Sequence, residues 1–228
     1  MTKIRASIQT TAPQAVLRRK TGFWVGFWLI LLGVWTVAVK NQALASLDQA
    51  VAQWVAHTRS PEWDRVAGAI TPFGGVLGIM GVSAFMVYGW VRRRRILTVG
   101  LFAGALLSGF LVQIVLRLWV AQWRPDVEGI PVSGSLLVHF KSYGFPSGHA
   151  FRSAFLYGWW AKRLLEYRNI WARCGALACL IVVVLVGWTR LYLNRHWLSD
   201  VIASWLLAAW LICLVWGVLK NNPRSCIS

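Results

Sequence analysis

Three arginines, two histidines, one carboxylate and two hydroxyls interrupt an otherwise largely apolar chain in three short clusters. Arg117 precedes Arg124-Pro125, and Pro146-Ser147-Gly148-His149 forms the second cluster. The third is Thr189-Arg190, followed by His196 and Asp200. Together these residue types suit phosphoryl transfer. A guanidinium stays charged and presents a planar fork that pairs with two phosphate oxygens at once. Three of them, with amide N–H groups at a helix start, can balance the charge of a transferring phosphoryl group. A neutral imidazole can attack phosphorus while a carboxylate fixes its tautomer. A second, protonated imidazole can give its proton to the leaving oxygen.

Each piece also has a plainer reading. Arg117 and Arg124 suit membrane-interface anchoring, with the charged head in water and the stem on apolar surface. Pro146-Ser147-Gly148 reads as a turn opening a helix. In the functional reading its Ser147 and Gly148 amides are unpaired and meet an anion, with Gly148 allowing close approach. His196 and Asp200, four apart, share one helix face, and an acid suits a first turn. His57 and His139 fit no cluster and read as surface histidines. Arg152, one turn after His149, reads equally as a headgroup contact or as an interfacial anchor. The clusters gain weight only if the fold brings them to one place.

The elements that would do so are membrane spans. The 228 residues are 57% hydrophobic and 14% charged, well below the roughly 25% charged of a soluble domain. The apolar residues come in blocks, the pattern of spans. Expected spans run over Gly22–Val39, Val66–Val91 (kinked at Pro72 and Gly74-Gly75), Ile96–Trp119, His149–Tyr167, Cys174–Leu193 and Leu198–Leu219. The first block is too long for the core of a secretion signal and reads as an uncleaved span. In segment 41–65, Leu47, Val51, Trp54 and Val55 fall on one stripe, as in an amphipathic helix along the interface. Ser60-Pro61 starts a new element there. The fold class is thus all-α, a polytopic bundle of six transmembrane helices plus a short interfacial helix. Residues 22–219 form one membrane domain between two tails, 1–21 and 220–228.

Charge supplies orientation. Of the 24 Lys and Arg, 15 fall in the tails and in alternate connections: Lys3, Arg5, Arg18 to Lys20, Arg92 to Arg95, Lys162, Arg163, Arg168, Arg173, Lys220 and Arg224. Those segments hold one acid, Glu166. The positive-inside rule places them, and both termini, in the cytoplasm. Segments 41–65, 121–147 and 194–197 then lie outside, with the three clusters. The net charge of +17 therefore belongs to loops, which argues against nucleic acid as a partner. The four cysteines have no metal-ligand spacing and imply no disulfide framework. Asp126 and Glu128 are too small a carboxylate group for magnesium, so neither metal nor cofactor is expected.

The clusters resemble the three-part signature of the type 2 phosphatidic acid phosphatase superfamily, K-x(6)-R-P, P-S-G-H and S-R-x(5)-H-x(3)-D. Order and internal spacings match, with Arg117 in place of Lys and Thr189 in place of Ser. The similarity covers about residues 45–215, and the six-span layout resembles the bacterial membrane branch. It implies that His196 attacks phosphorus, that Asp200 orients His196, and that His149 serves the leaving group and then water. Arg117, Arg124, Arg190, Ser147 and the Gly148 amide would hold the phosphate, supported by Pro125, Pro146 and Thr189. The implied activity is metal-independent hydrolysis of a lipid phosphate or pyrophosphate at the outer face of a bacterial inner membrane. The candidate substrates are undecaprenyl pyrophosphate, phosphatidylglycerol phosphate, phosphatidic acid and lipid A. Transfer to a lipid acceptor uses the same residues. A non-catalytic lipid binder would need the arginines but not the two histidines and Asp200.

Overall fold

The computed structural model describes residues 11–127 and 136–221. In chain order the helices are α1 (Thr11–Lys40), α2 (Ala45–His57), α3 (Pro61–Ile70) and, after a 3-10 turn (Thr71–Gly74), α4 (Val76–Arg92). They continue with α5 (Ile96–Val120), α6 (Leu136–Ser142), α7 (Gly148–Leu164), α8 (Ile170–Tyr192) and α9 (Leu198–Asn221). Among the described residues there is no strand, only an isolated bridge between Trp123 and Tyr143.

Local chemistry sets several boundaries. The Ser60 side chain accepts from the Trp63 amide and Pro61 opens α3, as the Ser-Pro pair predicts. Asn169 caps α8 in the same way, through Ala172 N at 2.8 Å. Helix α5 ends at Ala121 in the left-handed conformation (φ 55°), whose amide returns to the Arg117 carbonyl. The expected kink at Pro72 is a break. α3 and its 3-10 turn meet α4 at 44°.

Among the described residues four stretches are long and apolar enough to cross a membrane: Thr21–Lys40 of α1, α5, α8 and α9 up to Lys220. The bent pair is a fifth if read as one span. Helix α7 has only 17 residues but lies at the centre, packed against α8 and α9. The main core takes Phe151, Phe155 and Trp159 from α7, Phe102 from α5 and Leu207, Leu211 and Val215 from α9. Phe102 sits 5.2 Å from Phe155 and 5.4 Å from Trp159, centroid to centroid, within the range of favourable ring pairs. Outward, α4, α5 and α8 present bare apolar side chains, including Leu77, Phe85, Leu107 and Ile181. Water would oppose so large a contiguous apolar surface, whereas a bilayer matches it.

The stripe expected on α2 is divided between an outward and an inward edge. Leu47 and Trp54 are 45% and 63% exposed, and the inward edge is Asp48, Val51 and Val55. An acid lies on the buried edge because α9 offers it two donors (below). Val55 packs with Ala67 of α3 and Tyr192 of α8. The outer segment 121–147 contains the short helix α6. Residues 1–10, 128–135 and 222–228 lie outside the described residues, and with them Lys3, Arg5, Glu128, Pro131, Arg224 and Cys226.

Candidate active site

The three segments expected on one side do meet at one end of the bundle. Trp197 Nε1 donates to the Trp123 carbonyl at 2.7 Å, joining the start of α9 to the residues after α5. Arg195 Nη1 lies 2.7 Å from Asp126 Oδ2, a pair exposed on its arginine side, which fixes geometry more than it adds stability. Gly144 N donates to Gln122 O at 2.8 Å and Arg124 N to Ser142 O at 3.1 Å, so the two flanks of segment 121–147 lie side by side.

At the centre stand His196 and Asp200. The imidazole Nδ1 is 3.2 Å from Asp200 Oδ2, and the same oxygen accepts the Trp197 amide at 3.0 Å. His196 is 7% exposed and Asp200 0%. The i, i+4 spacing makes the pair possible, and the turn at Asn194 (φ 53°) aims it. After that turn, the Arg195 and His196 amides both point to the Arg190 carbonyl, at 3.0 and 3.3 Å. Burial, and then the charges of Arg124, Arg190 and Arg117, hold the His196 imidazole well below its ordinary pKa. It is therefore neutral at neutral pH; a proton on Nδ1 serves Asp200, and Nε2 has no hydrogen bond among the described residues.

The other cluster residues surround this pair. Arg117 Nη2 donates to the Pro146 carbonyl at 3.1 Å, and Arg124 Nε to the Tyr143 carbonyl at 3.4 Å. Thus each arginine is tethered to the segment entering α7. Pro125 opens the turn that follows Arg124, with Val127 N returning to Arg124 O. Arg190 donates through Nε and Nη2 to Thr189 Oγ1 at 3.2 and 3.1 Å, and through Nη2 to Thr71 Oγ1. Thr189 Oγ1 itself donates to Val186 O at 2.8 Å. Its hydroxyl is thus spent on aiming Arg190 rather than left for a ligand. His149 lies in the first turn of α7, within electrostatic reach of Arg190, Arg152, His196 and Arg124.

The start of α7 differs in one respect from the sequence expectation. The Ser147 amide is paired, donating to Asp200 O at 3.3 Å. Ser147 Oγ accepts the Ala150 amide at 3.5 Å, as an N-cap does. The amides of Gly148 and His149 carry no hydrogen bond among the described residues, so the anion-ready donors lie one residue later.

A family model described as the PAP2 superfamily matches residues 95–224, which hold all three clusters. The chain belongs to the PAP2 superfamily. It is 28% identical over 201 residues to phosphatidylglycerophosphatase B of Bacillus subtilis strain 168, covering 87% of this chain and 94% of that one. It is 38% identical over 124 residues to undecaprenyl-diphosphatase of Sulfolobus acidocaldarius, covering 52% and 55% of the two chains. The crystal structure of a transmembrane PAP2-type phosphatidylglycerolphosphate phosphatase from Bacillus subtilis superposes with a TM-score of 0.74. That match covers 89% of this chain and 98% of the other at 23% identity, and it shows a shared fold.

Around the PAP2 motifs stand residues that sequence reasoning missed. Gly144 faces the central pair. A Cβ there would lie 2.7 Å from Asp200 Oδ2 and 3.5 Å from His196 Nδ1. Asp48 of α2 accepts the Ser199 amide at 2.9 Å and the Ser199 hydroxyl at 2.6 Å, holding the first turn of α9. Ser204 Oγ lies 2.7 Å from Asp200 O and 2.9 Å from Ser147 O, bridging two motifs. Two of these carried a faint signal. Ser204 is one turn past Asp200, and Asp48 is an acid inside an apolar stripe. Thr71 and Gly144 carried none, because their roles come from neighbours distant in the chain.

Proposed function

We propose that this chain is a membrane-embedded enzyme that hydrolyses a lipid phosphate by way of a phosphohistidine at His196. The observation that carries the reading is the buried His196, its Nδ1 3.2 Å from Asp200 Oδ2 and within electrostatic reach of Arg117, Arg124 and Arg190. A binder of anions has use for the three cations but none for a desolvated imidazole whose tautomer is fixed by a carboxylate.

The steps follow from the donor set. The phosphoryl group of the substrate is held by the three arginines and by the free amides at the start of α7. His196 Nε2 attacks phosphorus, a P–N bond forms, and the P–O bond to the lipid breaks. Protonated His149 gives its proton to the departing lipid oxygen. Asp200 stabilises the positive charge that develops on His196. Water then attacks phosphorus and gives its proton to His149. The P–N bond breaks, and inorganic phosphate leaves with both histidines restored. No step calls on a metal ion.

The expected topology completes the reading. α1, the bent α3–α4 pair, α5, α7, α8 and α9 make six crossings, with α7 shielded by the others and α2 along the surface. Both termini then face the cytoplasm, and the site faces the outer side of a bacterial inner membrane. The similarity to phosphatidylglycerophosphatase B and undecaprenyl-diphosphatase supports a lipid phosphate or pyrophosphate substrate. Phosphatidic acid and lipid A phosphates belong to the same class. The test is phosphate release by purified protein in detergent with excess chelator, alongside His196→Ala. Release that survives chelation and disappears in the folded variant is expected. Unchanged turnover by His196→Ala would sink the mechanism.

A further inference from the structure

Arg152 is a cation at this end of the bundle that the mechanism leaves unused. Arg152 lies on α7, three residues after His149 and on the same face. Its Nε donates to the Gly74 carbonyl at 3.2 Å, pinning the guanidinium to the 3-10 turn of the broken α3–α4 pair. No carboxylate pairs with it among the described residues, and Nη1 and Nη2 make no hydrogen bond there. The head folds back over the first turn of its own helix. Nη1 lies 3.1 Å from the point where a Gly148 Cβ would stand. The side chain therefore occupies space beside the free Gly148 and His149 amides, close enough to act electrostatically on His149 and Arg190.

A partly buried guanidinium with no counter-charge is costly, and it is held with one edge open. That edge suits a phosphate. The three motif arginines already serve the phosphoryl group attacked by His196. Arg152 instead neighbours His149, the residue that serves the leaving oxygen. We propose that Arg152 binds a second phosphate, the one that stays with the lipid when the terminal phosphate is removed, and so tunes the enzyme to lipid diphosphates. This rests on the hydrolase reading above. In the step concerned, the bond from the terminal phosphorus to the bridging oxygen breaks. The lipid monophosphate departs with a proton from His149, and Arg152 balances the charge left on it.

A matched pair of substrates tests this: diacylglycerol pyrophosphate and phosphatidic acid, which share their tails and differ by one phosphate. Phosphate release from each is measured for the wild type, Arg152→Gln and Arg152→Lys. For the pyrophosphate, kcat/KM should fall on the order of 10- to 100-fold in Arg152→Gln, the scale of a lost charged hydrogen bond, and less in Arg152→Lys. For phosphatidic acid it should stay within roughly 3-fold of wild type. Equal losses on both substrates would make Arg152 a strut for Gly74 or a contact to the transferred phosphate, and would overturn the proposal. No loss on either would do the same. If the Gln variant fails to fold, the Lys variant carries the comparison. A wild type inert on both lipids would count against the hydrolase reading itself.

Discussion

Asp48 in α2 grips Ser199 in α9 with both carboxylate oxygens, one on the amide at 2.9 Å and one on the hydroxyl at 2.6 Å. The residues are 151 positions apart, and the contact ties the surface helix to the turn that carries Asp200. Asp48→Ala leaves two donors without a partner in a buried place, at a cost of about 1–3 kcal/mol. Asp48→Asn keeps an acceptor and should cost less. Thermal unfolding in detergent measures both. Burial raises the Asp48 carboxyl above its ordinary pKa, against the pull of the Ser199 hydrogen bonds. Folded protein thus keeps the proton to higher pH than unfolded chain, and this contribution is lost as pH rises above about 4. The gap between wild type and Asp48→Asn should accordingly shift in favour of the Asn variant with rising pH.

Gly144, in the segment before α7, packs against the central pair. Adding one methyl places carbon 2.7 Å from Asp200 Oδ2, inside contact distance, with the Arg124 stem 3.2 Å away. Carboxylate or backbone has to move. Misplacement of this size at a reacting group costs on the order of 100-fold in rate. Gly144→Ala should therefore lose kcat while the protein still elutes as a folded species. A near-wild-type kcat would mean the pair tolerates displacement.

Thr189 stands where the family signature carries Ser, and its hydroxyl receives two donors from Arg190. Thr189→Val keeps the volume and removes the acceptor, so kcat/KM should fall by about 10-fold. Thr189→Ser should retain most activity. Equal behaviour of the two variants would show that the hydroxyl does not aim Arg190.

The depressed pKa of His196 makes a pH prediction. Nucleophilic attack needs the neutral imidazole, so activity should persist at pH values below the ordinary imidazole value of about 6.5. Among the charges that depress it, Arg124 is the largest contributor. Removing that charge raises the His196 pKa, and the acid limb of kcat/KM should move to higher pH in Arg124→Gln, beyond any loss of rate. The pH dependence of kcat/KM reports free-enzyme groups and is the profile to measure. An acid limb that stays in place would separate it from His196.

The amino-acid sequence by itself determined most of the elements and marked the candidate site residues. Apolar blocks of bilayer length and the Arg92 to Arg95 run mark where spans lie and end. The 3.6-residue helical period alone puts His196 and Asp200 on one face, and Ser-Pro and Pro-Ser-Gly mark two helix starts. Those are local effects, carried within a few residues. The tertiary structure decided what depends on contacts between distant segments. It drew Asp48 inward to Ser199, spent the Ser147 amide on Asp200, and used the Thr189 hydroxyl to aim Arg190. It also set Gly144 against the central pair and left Arg152 with an open edge. Side-chain period says which face a residue occupies, whereas its partner depends on how whole helices dock. Because buried polar groups must be satisfied, that docking fixes the hydrogen bonds of the site.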